Sequence, residues 1–300
     1  MTATLSTTPE TPNATTYEYV LNFACAQRPG LLHALTGLLV EFEGNIIELK
    51  QFDDPRSDRY FLRMHFSVPG DSPETVDAGL RERLTRLETD LGAEWSLNPH
   101  AARRRVLIMA SKSDHCLNDL LYRSRVGSLP IEIAAVVSNH PDHRELIEWH
   151  GIPYFHVPVD PQNKQVAEGR LLELVEEYDV ELVILARYMQ ILSDALTAEL
   201  SGKAINIHHS FLPSFKGSKP YHQAFERGVK TIGATAHYVN EELDEGPIIS
   251  QQVMQVDHAF GPEDLAAAGR DSECKALADA VKLHCESRVF VDGNRTIILR

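Results

Sequence analysis

The sequence predicts an α/β protein in two parts: an N-terminal ferredoxin-like βαββαβ unit, then a doubly wound, mostly parallel-sheet domain. Three observations carry that expectation. The length of 300 residues suits two domains of about 100–200 residues each. Up to Asn98 the apolar residues switch between alternating and helical spacing in the order β-α-β-β-α-β. From Arg105 onward, short continuous apolar runs alternate with helical stretches, the pattern of strands buried on both faces of a parallel sheet.

Residues 1–16 are rich in Thr and Pro, without a basic or apolar segment, and read as a disordered tail and not a signal peptide. Tyr17 to Ala26 alternates like a half-buried strand, and Arg28-Pro29-Gly30 breaks it. Leu31 to Phe42 has helical spacing and ends at Gly44-Asn45. Ile46 to Phe52 and Arg59 to Val68 are strands joined by a turn-rich segment. Ser72-Pro73-Glu74 opens a second helix to about Leu91, with Ser72 as N-cap and Pro73 in the first helical position. Glu94 to Leu97 closes the unit. The expected boundaries are 17–98 for this unit, 99–104 for a linker and 105–300 for the second domain. In that domain the apolar runs Val106 to Ala110, Ile131 to Val137 and Leu182 to Ala186 are expected strands. Leu117 to Arg125, His143 to His150 and Val166 to Tyr178 are expected helices.

The 29 Lys and Arg against 43 Asp and Glu give a net charge of −14. Nucleic acid and anionic membranes would each demand a concentrated basic face, so neither is an expected partner. No apolar run approaches the roughly 18 residues of a membrane span. Cys25, Cys116, Cys274 and Cys285 form no C-x-x-C pair, which fits unbridged thiols in a reducing, cytoplasmic setting. The turn after the first strand of the second domain, Ala110-Ser111-Lys112-Ser113-Asp114, lacks the glycine pattern of dinucleotide sites and of P-loops.

Chemistry concentrates in two segments. In Ile205-Asn206-Ile207-His208-His209, an extended backbone would put Asn206 and His208 on one face and the isoleucines on the other. A carboxamide beside an imidazole can donate to a carbonyl oxygen that is becoming an oxyanion. The same two residues would also serve simply to satisfy backbone groups in a loop. His208, His209, His222 and His237 raise a metal site as a third reading, although no zinc-ligand spacing is present. The second segment runs from Thr231 through an acidic loop, Glu241, Glu242, Asp244 and Glu245, to Gly246-Pro247. A carboxylate there, held beside an imidazole, would make an acid/base pair able to activate water. Spacing does not say which.

Asn206-Ile207-His208, with Asp244 in Glu242-Leu243-Asp244-Glu245-Gly246-Pro247, resembles the signature of the folate-dependent formyltransferases. The resemblance includes Ala186 to Leu192, His209 to Gly217 and Phe290 to Thr296, and covers about Arg104 to Arg300. The preceding unit, with Arg28-Pro29-Gly30-Leu31, is similar to an ACT domain. That order of domains is typical of the formyltetrahydrofolate deformylases.

The resemblance implies a catalytic triad of Asn206, His208 and Asp244 that hydrolyses 10-formyltetrahydrofolate to formate and tetrahydrofolate, supplying formate for purine synthesis and balancing the folate pool. Asn206 and His208 would stabilise the formyl oxygen, and Asp244 would activate water. It implies a folate pocket of Arg187, Tyr188, Met189, Gln190, Ile191 and Leu192, with Thr235, His237, Val239, Asn240 and Glu241. For Met189, Ile191 and Leu192 the alternative is ordinary helix packing. No metal and no cofactor are implied, folate being the substrate. An amino-acid effector would sit at Arg28, Pro29, Gly30 and Asn45, and a homo-oligomer is expected because such domains pair edge to edge. The competing activity is formyl transfer to glycinamide ribonucleotide. Asp114 stands where the transferases place a phosphate-binding turn, which disfavours that acceptor. A non-enzymatic folate or amino-acid sensor is the remaining alternative.

Overall fold

The computed structural model describes residues 15–213 and 220–300, so the expected tail lies outside the described residues apart from its last two positions. Thr16 already belongs to a strand. Contacts divide the chain into two compact units, one up to Ala101 together with Leu299 and Arg300, the other Ala102–Ile298.

The first unit is β1 (Thr16–Ala26), α1 (Leu31–Glu41), β2 (Asn45–Asp54), β3 (Arg59–Pro69), α2 (Pro73–Leu91) and β4 (Glu94–Pro99). Its strands form an antiparallel sheet in the order β2-β3-β1-β4, the ferredoxin-like arrangement. Alternation explains the packing. Tyr19, Leu21, Phe23 and Cys25 of β1 and Leu62, Met64 and Phe66 of β3 point to one core, which Leu31, Leu35 and Leu38 of α1 and Val76, Leu80 and Leu84 of α2 complete. Ser72 caps α2 by accepting from the Thr75 N–H at 3.2 Å, and Gly92 ends it in the left-handed conformation. The strands outrun their expected ends. Because β4 continues to Pro99, the expected linker at 99–104 shrinks to the residues before Arg104.

The second unit begins with β5 (Arg104–Ala110), α3 (His115–Arg125), β6 (Ile131–Ser138), α4 (Arg144–Trp149), β7 (Tyr154–His156) and α5 (Lys164–Glu177). It continues with β8 (Leu182–Ala186), α6 (Asp194–Glu199), β9 (Ala204–His208), α7 (Pro220–Glu226), β10 (Thr231–Tyr238) and β11 (Ile248–Gln255). The long α8 (Pro262–Cys285) and a hairpin of β12 (Val289–Asp292) and β13 (Arg295–Ile298) finish it. The sheet order is β11-β10-β9-β8-β5-β6-β7, parallel from β9 to β7, with β10 and β11 antiparallel. The chain reverses its direction of travel across the sheet between β5 and β8, and open α/β sheets place ligands at such a switch point, beyond the carboxyl ends of the strands.

Burial on both faces accounts for the continuous apolar runs. Val106, Ile108 and Ala110 face a core shared with Leu117 and Leu120 of α3 and Ala276, Leu277 and Val281 of α8. Leu107 and Met109 face the opposite core, with Leu171 and Leu174 of α5 and Leu196 beside them. The short β7 and the 24-residue α8 had no strong signal in the sequence. In α8 the buried residues include Gly269, Ser272, Glu273 and three alanines among the larger apolar ones, so hydrophobic contrast between its faces is low. Among the described residues, no helix is long and apolar enough to cross a membrane.

Candidate active site

Strand β9 builds the centre of the site. Ile205 and Ile207 fall into the core under α8, while Asn206 and His208, two residues apart, share the other face and line a cleft. Antiparallel pairing sets His237 of β10 opposite Asn206, and Thr235 opposite His208. The register of β10 against β11 shifts between Ala236 and His237, a bulge of the kind that re-aims a side chain.

The hydrogen bonds assign roles to the two imidazoles. The His237 Nδ1 lies 2.8 Å from the Tyr238 carbonyl, which only accepts, so Nδ1 carries a hydrogen. Its Nε2 lies 3.3 Å from the Asn206 Nδ2, a carboxamide donor, so the Asn206 side chain is held in a fixed orientation. His208 Nδ1 lies 3.2 Å from Asp244 Oδ2, and His237 Nε2 is 3.7 Å from Asp244 Oδ1. The His208 Nε2 is buried and has no hydrogen-bond partner among the described residues. Burial alone would raise the Asp244 pKa. Hydrogen bonding from His208, together with its charge, outweighs it and holds the carboxyl well below the usual carboxylate range.

Asp244 arrives on a loop between β10 and β11 with a left-handed backbone, φ 59°, a conformation aspartate tolerates better than most residues. Gly246 follows it. A Cβ on Gly246 would lie 1.8 Å from the Tyr238 carbonyl oxygen, so only glycine allows the loop to pack this closely on the end of β10.

The cleft has a volume of about 630 Å³, within the range of small-molecule sites. Of the expected folate pocket, Arg187, Tyr188, Met189, Gln190, Ile191 and Leu192 line it, with His237, Val239, Asn240 and Glu241. Met189 to Leu192 form a loop after β8, so the helix-packing alternative does not apply to them, and Met189 and Ile191 are exposed. Thr235 is different. It is fully buried, and its hydroxyl donates to the Ser210 carbonyl while accepting from the Leu212 N–H and Gln251 Nε2. It therefore fastens the segment after His208 and does not line the cleft. Part of the His209 to Gly217 motif, residues 214–217, lies outside the described residues.

Sequence reasoning missed three groups. His209 and Tyr221 also line the cleft, and burial, with Arg187 and His208 adding repulsion, lowers the His209 pKa to about 4. Behind them, Glu273 of α8 is buried and holds three partners. It accepts from His115 Nε2 at 2.8 Å and Tyr221 Oη at 2.7 Å, and pairs with Arg187 Nε at 3.2 Å. His209 had been weighed as a metal ligand and belongs to the His209 to Gly217 motif, but neither signal assigned it to the cleft, and a single glutamate far along a polar helix offered none. The four histidines weighed as metal ligands do not gather on one ion. Among the described residues the clusters compatible with one are Glu18-His65-His100 and His115-Cys116-Glu273. The first stacks its imidazoles face to face at 3.9 Å, and the second already holds the Arg187 guanidinium.

The family described as Formyl transferase matches residues 104–281, which span β5 to α8 and hold the whole cluster. A formyltetrahydrofolate deformylase from Corynebacterium sp. (strain P-1) is 58% identical over 94% of this chain and 98% of its own length. The chain belongs to the formyltetrahydrofolate deformylase family. The crystal structure of a family member from Burkholderia mallei is 48% identical and superposes with a TM-score of 0.89, covering 95% of this chain and all of that one. Glycinamide ribonucleotide transformylase 1 from Symbiobacterium toebii, at 32% identity and a TM-score of 0.62, covers 66% of this chain and 95% of its own. The deformylases thus match both units, whereas the transformylase accounts for about two thirds of the chain.

Proposed function

We propose that Asn206, His208 and Asp244 hydrolyse 10-formyltetrahydrofolate to formate and tetrahydrofolate. The observation that carries this reading is the convergence of an oriented carboxamide donor, a buried unpartnered imidazole nitrogen and an ionised carboxylate on one wall of the cleft. The pterin lies along Met189 to Leu192 and the loop carrying Val239, Asn240 and Glu241, where backbone groups meet its polar edge. The formyl carbon then faces the triad.

One Asn206 Nδ2 hydrogen is engaged by His237, which leaves the other for the formyl oxygen. With His208 paired through Nδ1 to Asp244, a proton on Nε2 makes the second donor. Both donors meet the oxygen as it gains charge in the tetrahedral intermediate. Asp244 orients the water. While paired with a charged imidazole its carboxylate is a weak base. As the proton on Nε2 moves towards N10 of the folate, the pairing weakens and the carboxylate can take the proton of the attacking water. The C–O bond forms, the C–N10 bond breaks as N10 takes the proton from His208 Nε2, the remaining hydroxyl proton passes to the emptied Nε2, and formate leaves as an anion while Asp244 returns its proton to solvent.

Asn206→Ala tests the arrangement. Formate release should fall by about 10²–10³-fold, with the circular dichroism spectrum unchanged. Wild-type turnover in that variant would remove Asn206 from the reaction. The stabilised formyl oxygen is common to transfer and hydrolysis, so the choice of water rests on the family match and on Asp114. Asp114 begins α3, where its carboxylate accepts from Asn118 Nδ2 at 3.0 Å and repels a phosphate.

The first unit reads as an ACT-like regulatory domain covering residues 17–98, with 105–300 as the catalytic domain. An amino-acid effector would use the turn at Arg28, Pro29 and Gly30, with Asn45 as a further donor. Gly30 has φ 90° and caps α1, Arg28 donates to the Asp90 carbonyl at 3.1 Å, and Asn45 is exposed at the start of the edge strand β2. A homo-oligomer formed through that edge fits the exposure of Ile46, Ile47 and Phe52 on β2.

A further inference from the structure

Hydrolysis differs from formyl transfer in the charge of what it makes. Transfer to an amine gives a neutral formamide, whereas hydrolysis gives formate, an anion at neutral pH, where the substrate had a neutral group. The cleft is poorly suited to an anion. Asp194, Glu241, Glu242 and Asp244 all line it, and Arg187 is the one lysine or arginine among the described residues that do.

Arg187 is built into this position. It directly follows β8, and its backbone is left-handed with φ 63°, a region that a residue with a side chain enters only when its surroundings hold it there. Glu273 lies behind its side chain. It is 1% exposed and pairs with the guanidinium through Nε alone. His115 and Tyr221 donate to the same carboxylate, so its oxygens are shared among three partners. Tyr221 reaches Glu273 by packing over Gly269, one turn before it on α8, and a side chain at 269 would have to displace it. A Cβ there would lie 2.0 Å from the Tyr221 hydroxyl. The two terminal nitrogens of Arg187 make no hydrogen bond to any described residue. A guanidinium whose terminal edge is open is the geometry that receives a carboxylate through two parallel hydrogen bonds.

We propose that Arg187, fixed from behind by Glu273, is the subsite that binds the formate product. The inference rests on the hydrolytic reading above for its biological meaning, but the site itself is a binding site for a small carboxylate and is testable without turnover. A cation there opposes the repulsion that Asp244 exerts on the new anion and gives formate a position distinct from that of the attacking water.

The test is titration of folate-free protein with 13C-labelled formate in chloride-free buffer, followed by NMR, for wild type, Arg187→Met, Arg187→Lys and Asp244→Asn. Wild type should bind saturably. Arg187→Met should weaken binding by roughly ten- to a hundredfold, the worth of a charge-assisted pair. Arg187→Lys, which keeps the charge but not the fork, should fall between the two, and Asp244→Asn should bind formate at least as tightly as wild type. Absence of saturable binding in wild type overturns the proposal, as does unchanged affinity in a folded Arg187→Met or Arg187→Lys. A rise in the KM for 10-formyltetrahydrofolate with formate affinity intact would place Arg187 on the folate and also overturn it. Failure of the hydrolytic reading would show separately, as no formate made from 10-formyltetrahydrofolate by wild-type enzyme.

Discussion

Asp244→Asn is expected to lower kcat for 10-formyltetrahydrofolate hydrolysis by about 10²–10⁴-fold while leaving the protein folded. The replacement keeps the size and shape of the side chain, so the packing of the loop on β10 is preserved. What it removes is the charge that pairs with His208 Nδ1 at 3.2 Å and the group that takes the proton of water. An amide in this place also offers His208 a donor as readily as an acceptor, so the imidazole loses its fixed orientation. The measurement is steady-state formate release together with thermal melting. A melting temperature near wild type with turnover reduced by the stated factor supports the assignment. Wild-type turnover would transfer the role to another carboxylate of the loop.

Gly246→Ala is expected to damage the site through the backbone. The added methyl would meet the Tyr238 carbonyl oxygen at 1.8 Å and its carbon at 2.9 Å. Neither is the end of a flexible side chain, so the loop itself must move, at a cost of about 1–3 kcal/mol for such overpacking. The displaced loop carries Asp244 two residues away, and a misplacement of about 1 Å in a catalytic group lowers rates by about 10²-fold. Thermal melting and formate release should therefore fall together. Retention of both at wild-type values would show that the loop accommodates the methyl and that its position is not what holds Asp244 in place.

The parts of this protein that obey a period were legible in the sequence. Tyr19, Leu21 and Phe23 alternate because their strand covers one core, and Val106 to Ala110 runs apolar because its strand is covered by helices on both sides. The i, i+2 placement of Asn206 and His208 followed from the same rule. Asp244 did not. Four carboxylates in five positions are indistinguishable by spacing, and the choice came from the resemblance to formyltransferases. The geometry that singles out Asp244, a left-handed turn closed by Gly246 against Tyr238, is a tertiary contact that no local pattern encodes. Thr235 shows the reverse case. It belongs to the neighbourhood of the site, yet its hydroxyl bonds the chain after His208 and never reaches the cleft. Glu273 was invisible because a buried carboxylate breaks the hydrophobic pattern. Its burial depends on His115, Arg187 and Tyr221, which come from three distant elements. Tyr154 to His156 is a strand of three residues, too short for a period to register.

The claim that water is the acceptor is tested most directly by incubating the pure protein with 10-formyltetrahydrofolate alone in 18O-enriched water. Formate should appear in a one-to-one ratio with tetrahydrofolate, carrying one oxygen from the solvent. Formyl release that begins only when glycinamide ribonucleotide is added, with the formyl group recovered on that amine, would contradict it.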